Sequence, residues 1–165
     1  MTVLSRPIAI AAAVLLAWLG VAAEMPSRAR LPLEAVVLGA RVTQRFGCTA
    51  VQLEPPDPQC PLHHFHTGID LAAPAGTEIH SATDGVVSMG YDSRGAGNFV
   101  AVALDGRTRI LYCHLSAFRV RPGDAVVPGQ VIGLVGATGL ATGPHVHLEV
   151  QVGGRPVDPA AWLAA

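Results

Sequence analysis

The stretch GPHVHLEV (Gly143–Val150) decides how the rest of the chain reads. His145, His147 and Glu149 alternate with Val146, Leu148 and Val150, the pattern of a half-buried strand with a polar and an aliphatic face. Alternate side chains of a strand stand roughly 6.5–7 Å apart, so two such histidines bind one ion only with distortion. A more natural arrangement puts one on a metal and the other beside a metal-bound water, as in a hydrolase with three protein ligands and an open position. The plain alternative is a surface strand with solvated histidines. It leaves unexplained why three titratable groups share one face.

Outward from that strand the chain keeps the same texture. VTQRFG, GTEIHSA, GVVSMGYD, NFVAVAL, TRILYC and QVIGLVG are short and rich in β-branched residues, with Gly, Pro, Asp or Asn between them. RPGDAVVPGQVIG places two Pro-Gly-type turns around a further short strand. Only the tail, PAAWLAA, reads as helix, with Asp158 as N-cap and Pro159 at the first helical position. The class expected is all-β and mainly antiparallel, with a short C-terminal helix.

The chain has 165 residues and a net charge of -1, with 14% charged residues. That length suits one domain, and that balance gives no footing for nucleic acid. Eighteen glycines and thirteen prolines fit many strands joined by turns. Pro7 to Ala23 runs apolar behind one positive charge, with Val21 and Ala23 where a cleavage enzyme wants small residues. Residues 1–23 therefore read as a signal peptide, or else as an N-terminal membrane anchor, and the chain as exported to the periplasm, cell envelope or exterior. Residues 24–41 read as a short tether and 42–165 as the functional domain, expected to be a monomer. Cys48 and Cys60 flank the turn-rich TAVQLEPPDPQ and are expected to close a disulfide loop worth on the order of 3 kcal/mol. Cys113, in the apolar run TRILYCHL, reads as a small core residue. No C-x-x-C pair suggests cysteine-ligated zinc.

Seven histidines among so few charged residues are the informative excess. In HTGID, His66 and Asp70 are an even number of residues apart, so an extended segment can aim both to one side. Gly68 between them permits close backbone approach. Imidazole and carboxylate are both good ligands for Zn²⁺. In ILYCHLS, alternation predicts Tyr112 and His114 on one face and Cys113 on the other, with His114 placed to steady an oxyanion or a water.

Taken together these pieces resemble the lysostaphin-type (LytM-like) zinc endopeptidases, which hydrolyse peptidoglycan. The family's H-x-G-x-D, its tyrosine followed by a His-Leu pair, and its T-G-x-H-x-H occur in order. They are His66-Thr67-Gly68-Ile69-Asp70, Tyr112-Cys113-His114-Leu115 and Thr142-Gly143-Pro144-His145-Val146-His147. The likeness extends from about Val42 to Pro159 through VTQRFG, DLAAPAGTEIHSATDGVV, GNFVAV, VRPGDAVVPGQVIGLVGATG and PVDP. The resemblance implies Zn²⁺ held by His66, Asp70 and His147, with His114 and His145 flanking the metal-bound water as catalytic residues. It implies an antiparallel, barrel-sandwich-like sheet domain (a duplicated hybrid motif) whose groove takes peptidoglycan stem or cross-bridge peptides.

His63 and His64 crowd the same segment but are expected to be non-ligands lining the groove, and His80 to be structural. Two other readings remain. A non-catalytic wall-binding or regulatory domain of the same fold would have lost some of these five polar positions. A carrier domain is suggested by GDAVVPGQVIG alone, but no lysine lies near it for attachment.

Overall fold

In the computed structural model, which describes residues 29–165, the strand read from GPHVHLEV is β12 (His145–Val152), in the middle of the larger sheet. The elements before it are α1 (Leu33–Val36), β1 (Arg41–Gln44), β2 (Gly47–Thr49), β3 (His64–His66), β4 (Ile69–Ala72), β5 (Glu78–His80) and β6 (Gly85–Asp92). Then come β7 (Gly97–Ala103), β8 (Thr108–Cys113), β9 (Ala117–Phe118), β10 (Ala125–Val126) and β11 (Val131–Leu134). β13 (Arg155–Val157) and α2 (Pro159–Ala164) follow β12. The main sheet runs β1-β4-β12-β8-β7-β6-β10, with β13 beside the far end of β12. Its pairings are all antiparallel, as expected for a chain of short strands joined by turns. β5-β11-β9 form a small second sheet, and β2-β3 a hairpin-like pair.

Alternation does the sorting. Val146, Leu148 and Val150 of β12 are fully buried, and so are Ile110 and Tyr112 of β8 and Val100 and Val102 of β7. Ile79 and Ile132 of the small sheet belong to the same core. Each such aliphatic side chain contributes about 1.5–3 kcal/mol. The opposite face of β4, β12 and β8 is left open, and the chemistry lies there.

The C-terminal helix starts as its sequence predicts. The Asp158 carboxylate accepts from the Ala160 N–H at 2.9 Å, and Pro159 occupies the first turn. Within the stretch read as a tether, Leu33–Val36 form one helical turn, and Val36 and Val37 are buried in the core. The Leu31 N–H donates to the Ala82 carbonyl at 2.7 Å, and the Arg30 guanidinium stacks 3.9 Å over the Trp162 ring. The apolar residues 1–23 lie outside the described residues. Among those described, no helix is long and apolar enough to cross a membrane.

Candidate metal centre

β4 and β12 pair so that Asp70 faces His147, and β3 leads through Thr67-Gly68 into β4, which brings His66 alongside. His66 Nε2, Asp70 Oδ1 and His147 Nδ1 form a nearly equilateral triangle with edges of 3.1, 3.0 and 3.1 Å. Gly68 is required by this closeness: a Cβ there would stand 2.8 Å from His147 Nε2. The sequence's three candidate ligands are thus brought together.

The outer partners fix which nitrogen each ring offers. His66 Nδ1 lies 2.9 Å from the Arg45 carbonyl, which can only accept, so Nδ1 carries the proton and Nε2 presents a lone pair. His147 turns Nε2 toward Glu149 Oε2 at 3.6 Å and offers Nδ1. Thr67 Oγ1 donates to Glu149 Oε2 at 2.6 Å, and Gln151 donates to the other carboxylate oxygen. Three lone pairs aimed at one point repel unless a cation stands between them. A point about 2.0–2.2 Å from all three donors exists, the distance Zn²⁺ takes to imidazole and carboxylate. The donor set therefore fits a zinc ion held by His66, Asp70 and His147.

Electrostatics agree with that fit. Burial works to raise the Asp70 carboxyl, but hydrogen bonds and charge from His147 and His66 hold it far below the usual carboxylate range. Burial likewise opposes a charged His147, yet Asp70 and Glu149 outweigh it and push the metal-free imidazole up to about 9. Burial opposes the Glu149 carboxylate too, and His147, Thr67 and Gln151 still bring it below its ordinary value. The pocket is built to hold positive charge.

His145 and His114 stand just outside the triangle. His145 Nδ1 donates to the Gly143 carbonyl at 2.8 Å, which leaves Nε2 on the groove side, 3.9 Å from Asp70 Oδ1. His114 Nδ1 donates to the Thr138 carbonyl at 2.8 Å, and the two rings lie 4.7 Å apart between centroids. Burial lowers the His114 imidazole's affinity for a proton, only partly offset by the Thr138 carbonyl, so it is neutral near pH 7.

The predicted sharing of one face by Tyr112 and His114 is wrong. Alternation stops at Cys113, because His114 adopts φ +66°, where strands do not run. Tyr112 is fully buried in the core, and its hydroxyl accepts from the Ala82 N–H at 2.7 Å. Cys113 faces the groove opposite His147 and is covered there; burial, with the Glu149 and Asp70 charges, pushes its thiol up to about 12.

Cys48 and Cys60 are joined, with Cα atoms 5.5 Å apart. Their loop forms one wall of a groove of about 490 Å³ through Val51, Leu53, Glu54, Pro55 and Pro56. Glu54, which has no periodic context in the sequence, reaches to 3.9 Å from His66 Nε2 and accepts from Gln44 Nε2 at 3.0 Å. His64 and His63 are not groove-lining as expected. His64 Nδ1 donates to the Glu54 carbonyl at 2.8 Å and pins the loop, and the His63 N–H caps the disulfide turn on the Cys60 carbonyl at 2.9 Å.

Residues 64–159 match the family model described as Peptidase family M23. The DD-carboxypeptidase/endopeptidase Mpg of Neisseria meningitidis is 46% identical over 97 residues, 59% of this chain and 22% of that protein. The glycyl-glycine endopeptidase ALE-1 of Staphylococcus capitis is 42% identical over 86 residues, 51% of this chain and 24% of its own length. The chain thus spans under a quarter of the curated relatives it matches. A zinc-containing peptidase from Vibrio cholerae superposes with a TM-score of 0.67 at 32% identity, over 81% of this chain and 40% of that one.

Proposed function

The chain belongs to peptidase family M23, and from that premise we propose that it is a zinc-dependent endopeptidase that hydrolyses peptide cross-links or bridges of bacterial peptidoglycan. The observation that carries the proposal is the convergence of His66 Nε2, Asp70 Oδ1 and His147 Nδ1 within 3.1 Å of one another, on the floor of an open groove. Zinc held there by His66, Asp70 and His147 would supply a Lewis acid and would lower the pKa of water toward neutrality.

The protein's own part is to orient and to move a proton. His114 and His145 have both committed Nδ1–H to a carbonyl, so each offers an Nε2 lone pair on the groove side. One serves as general base: its Nε2 takes the proton of the attacking water and hands it to the leaving amine as the peptide C–N bond breaks. The other steadies the negative charge that develops on the carbonyl oxygen when its Nε2 carries a proton taken up from solvent. Glu149 orients His147 from behind, and the Arg45 carbonyl does the same for His66. An extended peptide lies in the groove between the disulfide loop and the turn at Arg94-Gly95-Ala96. The protein acts outside the cytoplasm, where its substrate is, as a monomer delivered or tethered by its apolar N-terminus.

The test is digestion of purified peptidoglycan by zinc-loaded and by chelated protein, with mass analysis of the fragments. Zinc-dependent release of cleaved stem or bridge peptides is expected. No cleavage by fully zinc-loaded protein would leave only a wall-binding role.

A further inference from the structure

All eleven Lys and Arg side chains of this protein are arginine, and among those lining the groove there is one, Arg94. The other formally charged lining groups are carboxylates, and each is already engaged. Asp70 faces the two metal-site histidines, Glu149 is held by Thr67 and Gln151, and Glu54 by Gln44. For Arg94, among the described residues, the bond found is that of its backbone N–H, to Asp92 Oδ1 at 2.9 Å. Its side chain is exposed at the groove.

The position of Arg94 is set by the same structure that sets His114. It stands on the turn between β6 and β7. That turn is tied down by His114 N–H to the Ala96 carbonyl at 2.8 Å, Leu140 N–H to the Gly95 carbonyl at 2.9 Å, and Asn98 N–H to Thr138 Oγ1 at 2.9 Å. Gly97 and Gly139 close the joint back to back, where a side chain on either would collide with the other loop's backbone. Arg94 is therefore held in register with the catalytic side of the groove. The sheet order β1-β4-β12-β8-β7 puts Glu54, anchored by Gln44 of β1, on the opposite side of the metal centre. Among the formally charged lining side chains, Glu54 thus stands toward β1 and Arg94 on the β6–β7 turn, where Asp92 accepts from its backbone N–H outside the lining.

We propose that Arg94 is a specificity-determining residue that receives a free carboxylate of the substrate, selecting cross-links that carry one near the scissile bond over uncharged glycine bridges. This rests on the endopeptidase reading above. The chemistry is direct. A cross-link made through the distal amine of a diamino diacid leaves the carboxylate beside that amine free, whereas a glycine within a bridge has both ends in amide bonds. The planar guanidinium fork matches a carboxylate with two parallel hydrogen bonds, a fit no other lining side chain offers.

Two uncleavable analogues of a cross-link between D-alanine and a diamino diacid test it, identical except that one bears the carboxylate beside the cross-linked amine and the other its carboxamide. Affinities are measured for the zinc-loaded full chain and for R94Q and R94E, with zinc content and circular dichroism as controls of fold. The wild type should bind the carboxylate analogue about tenfold or more tightly than the carboxamide. R94Q should bind both alike, and R94E should prefer the carboxamide. A wild type that does not distinguish the two, or an R94Q that keeps the wild-type preference, overturns the proposal. Cleavage of the native amide is followed in parallel. Arg94-dependent binding without cleavage would defeat the endopeptidase reading alone, and cleavage with an Arg94-independent preference would defeat this inference alone.

Discussion

His66 Nε2 and His147 Nδ1 stand 3.0 Å apart across 81 positions of chain, and the two rings offer opposite nitrogens to the same point. The difference lies behind them. The Arg45 carbonyl accepts from the Nδ1–H of His66, and the Glu149 carboxylate faces His147 Nε2. A ring's outer partner selects its tautomer and so its ligating atom.

Glu149→Gln should therefore weaken zinc binding by about 10–100-fold while leaving the fold intact. Thr67→Val, which removes only the hydrogen bond to Glu149, should have a smaller effect in the same direction. Chelator competition measures both. A Glu149→Gln protein with wild-type zinc affinity would show that His147 needs no carboxylate behind it.

Zinc uptake should release a proton from His147. In the metal-free protein its imidazole titrates at about 9, so below that pH it is protonated and must lose the proton before Nδ1 can ligate. Asp70 is held far below the usual carboxylate range and contributes no proton at neutral pH. The sign follows: affinity rises with pH from 6 toward 9 by up to about tenfold per unit, and flattens above. Calorimetry in buffers of different ionisation heat should find about one proton released near pH 7.5. An affinity flat between pH 6 and 8 would mean that no proton competes with the metal.

Much of this is legible in the sequence. Alternation in His145–Val152 assigns three side chains to the core and three to the site, and burial follows it. Asp158-Pro159 marks the C-terminal helix start, and the even spacing of His66 and Asp70 allowed their meeting. Other features resisted for physical reasons. The helical turn at Leu33–Val36 is too short to display a period. His114 breaks strand parity by taking a left-handed conformation held by the Ala96 and Thr138 carbonyls, contacts remote in sequence. Glu54 reaches the site from a Pro-rich loop in which no pattern assigns a direction to any side chain.

Removing the Cys48–Cys60 bond, as Cys48→Ser/Cys60→Ser, should cost about 3 kcal/mol of stability through the freed loop of the unfolded chain. It should also loosen the wall that carries Glu54, since the remaining ties of that segment are single hydrogen bonds such as His64 Nδ1–H to the Glu54 carbonyl. Urea unfolding measures the first effect and protease nicking between residues 50 and 59 the second. Unchanged stability and nicking in the double variant would show that the loop is held by its packing alone.

Binding and chemistry should separate along β12. His147 Nδ1 belongs to the triangle of donors, whereas His145 Nε2 stands 3.9 Å from Asp70 Oδ1, with its ring turned toward His114 at 4.7 Å between centroids. His147→Ala should lose zinc and turnover together, because two remaining donors do not hold the ion. His145→Ala should keep zinc and fold yet lose turnover by roughly 10²–10⁴-fold, the range for a lost proton transfer. His114→Ala should keep zinc as well and fall in the same range, with some loss of stability, since the Thr138 carbonyl then loses its donor. Elemental analysis and hydrolysis of a defined cross-linked peptide read the two properties separately. If His145→Ala shed the metal while His147→Ala retained it, the ligand assignment would be reversed. If all three variants cut at the wild-type rate, neither histidine beside the metal could be the proton carrier.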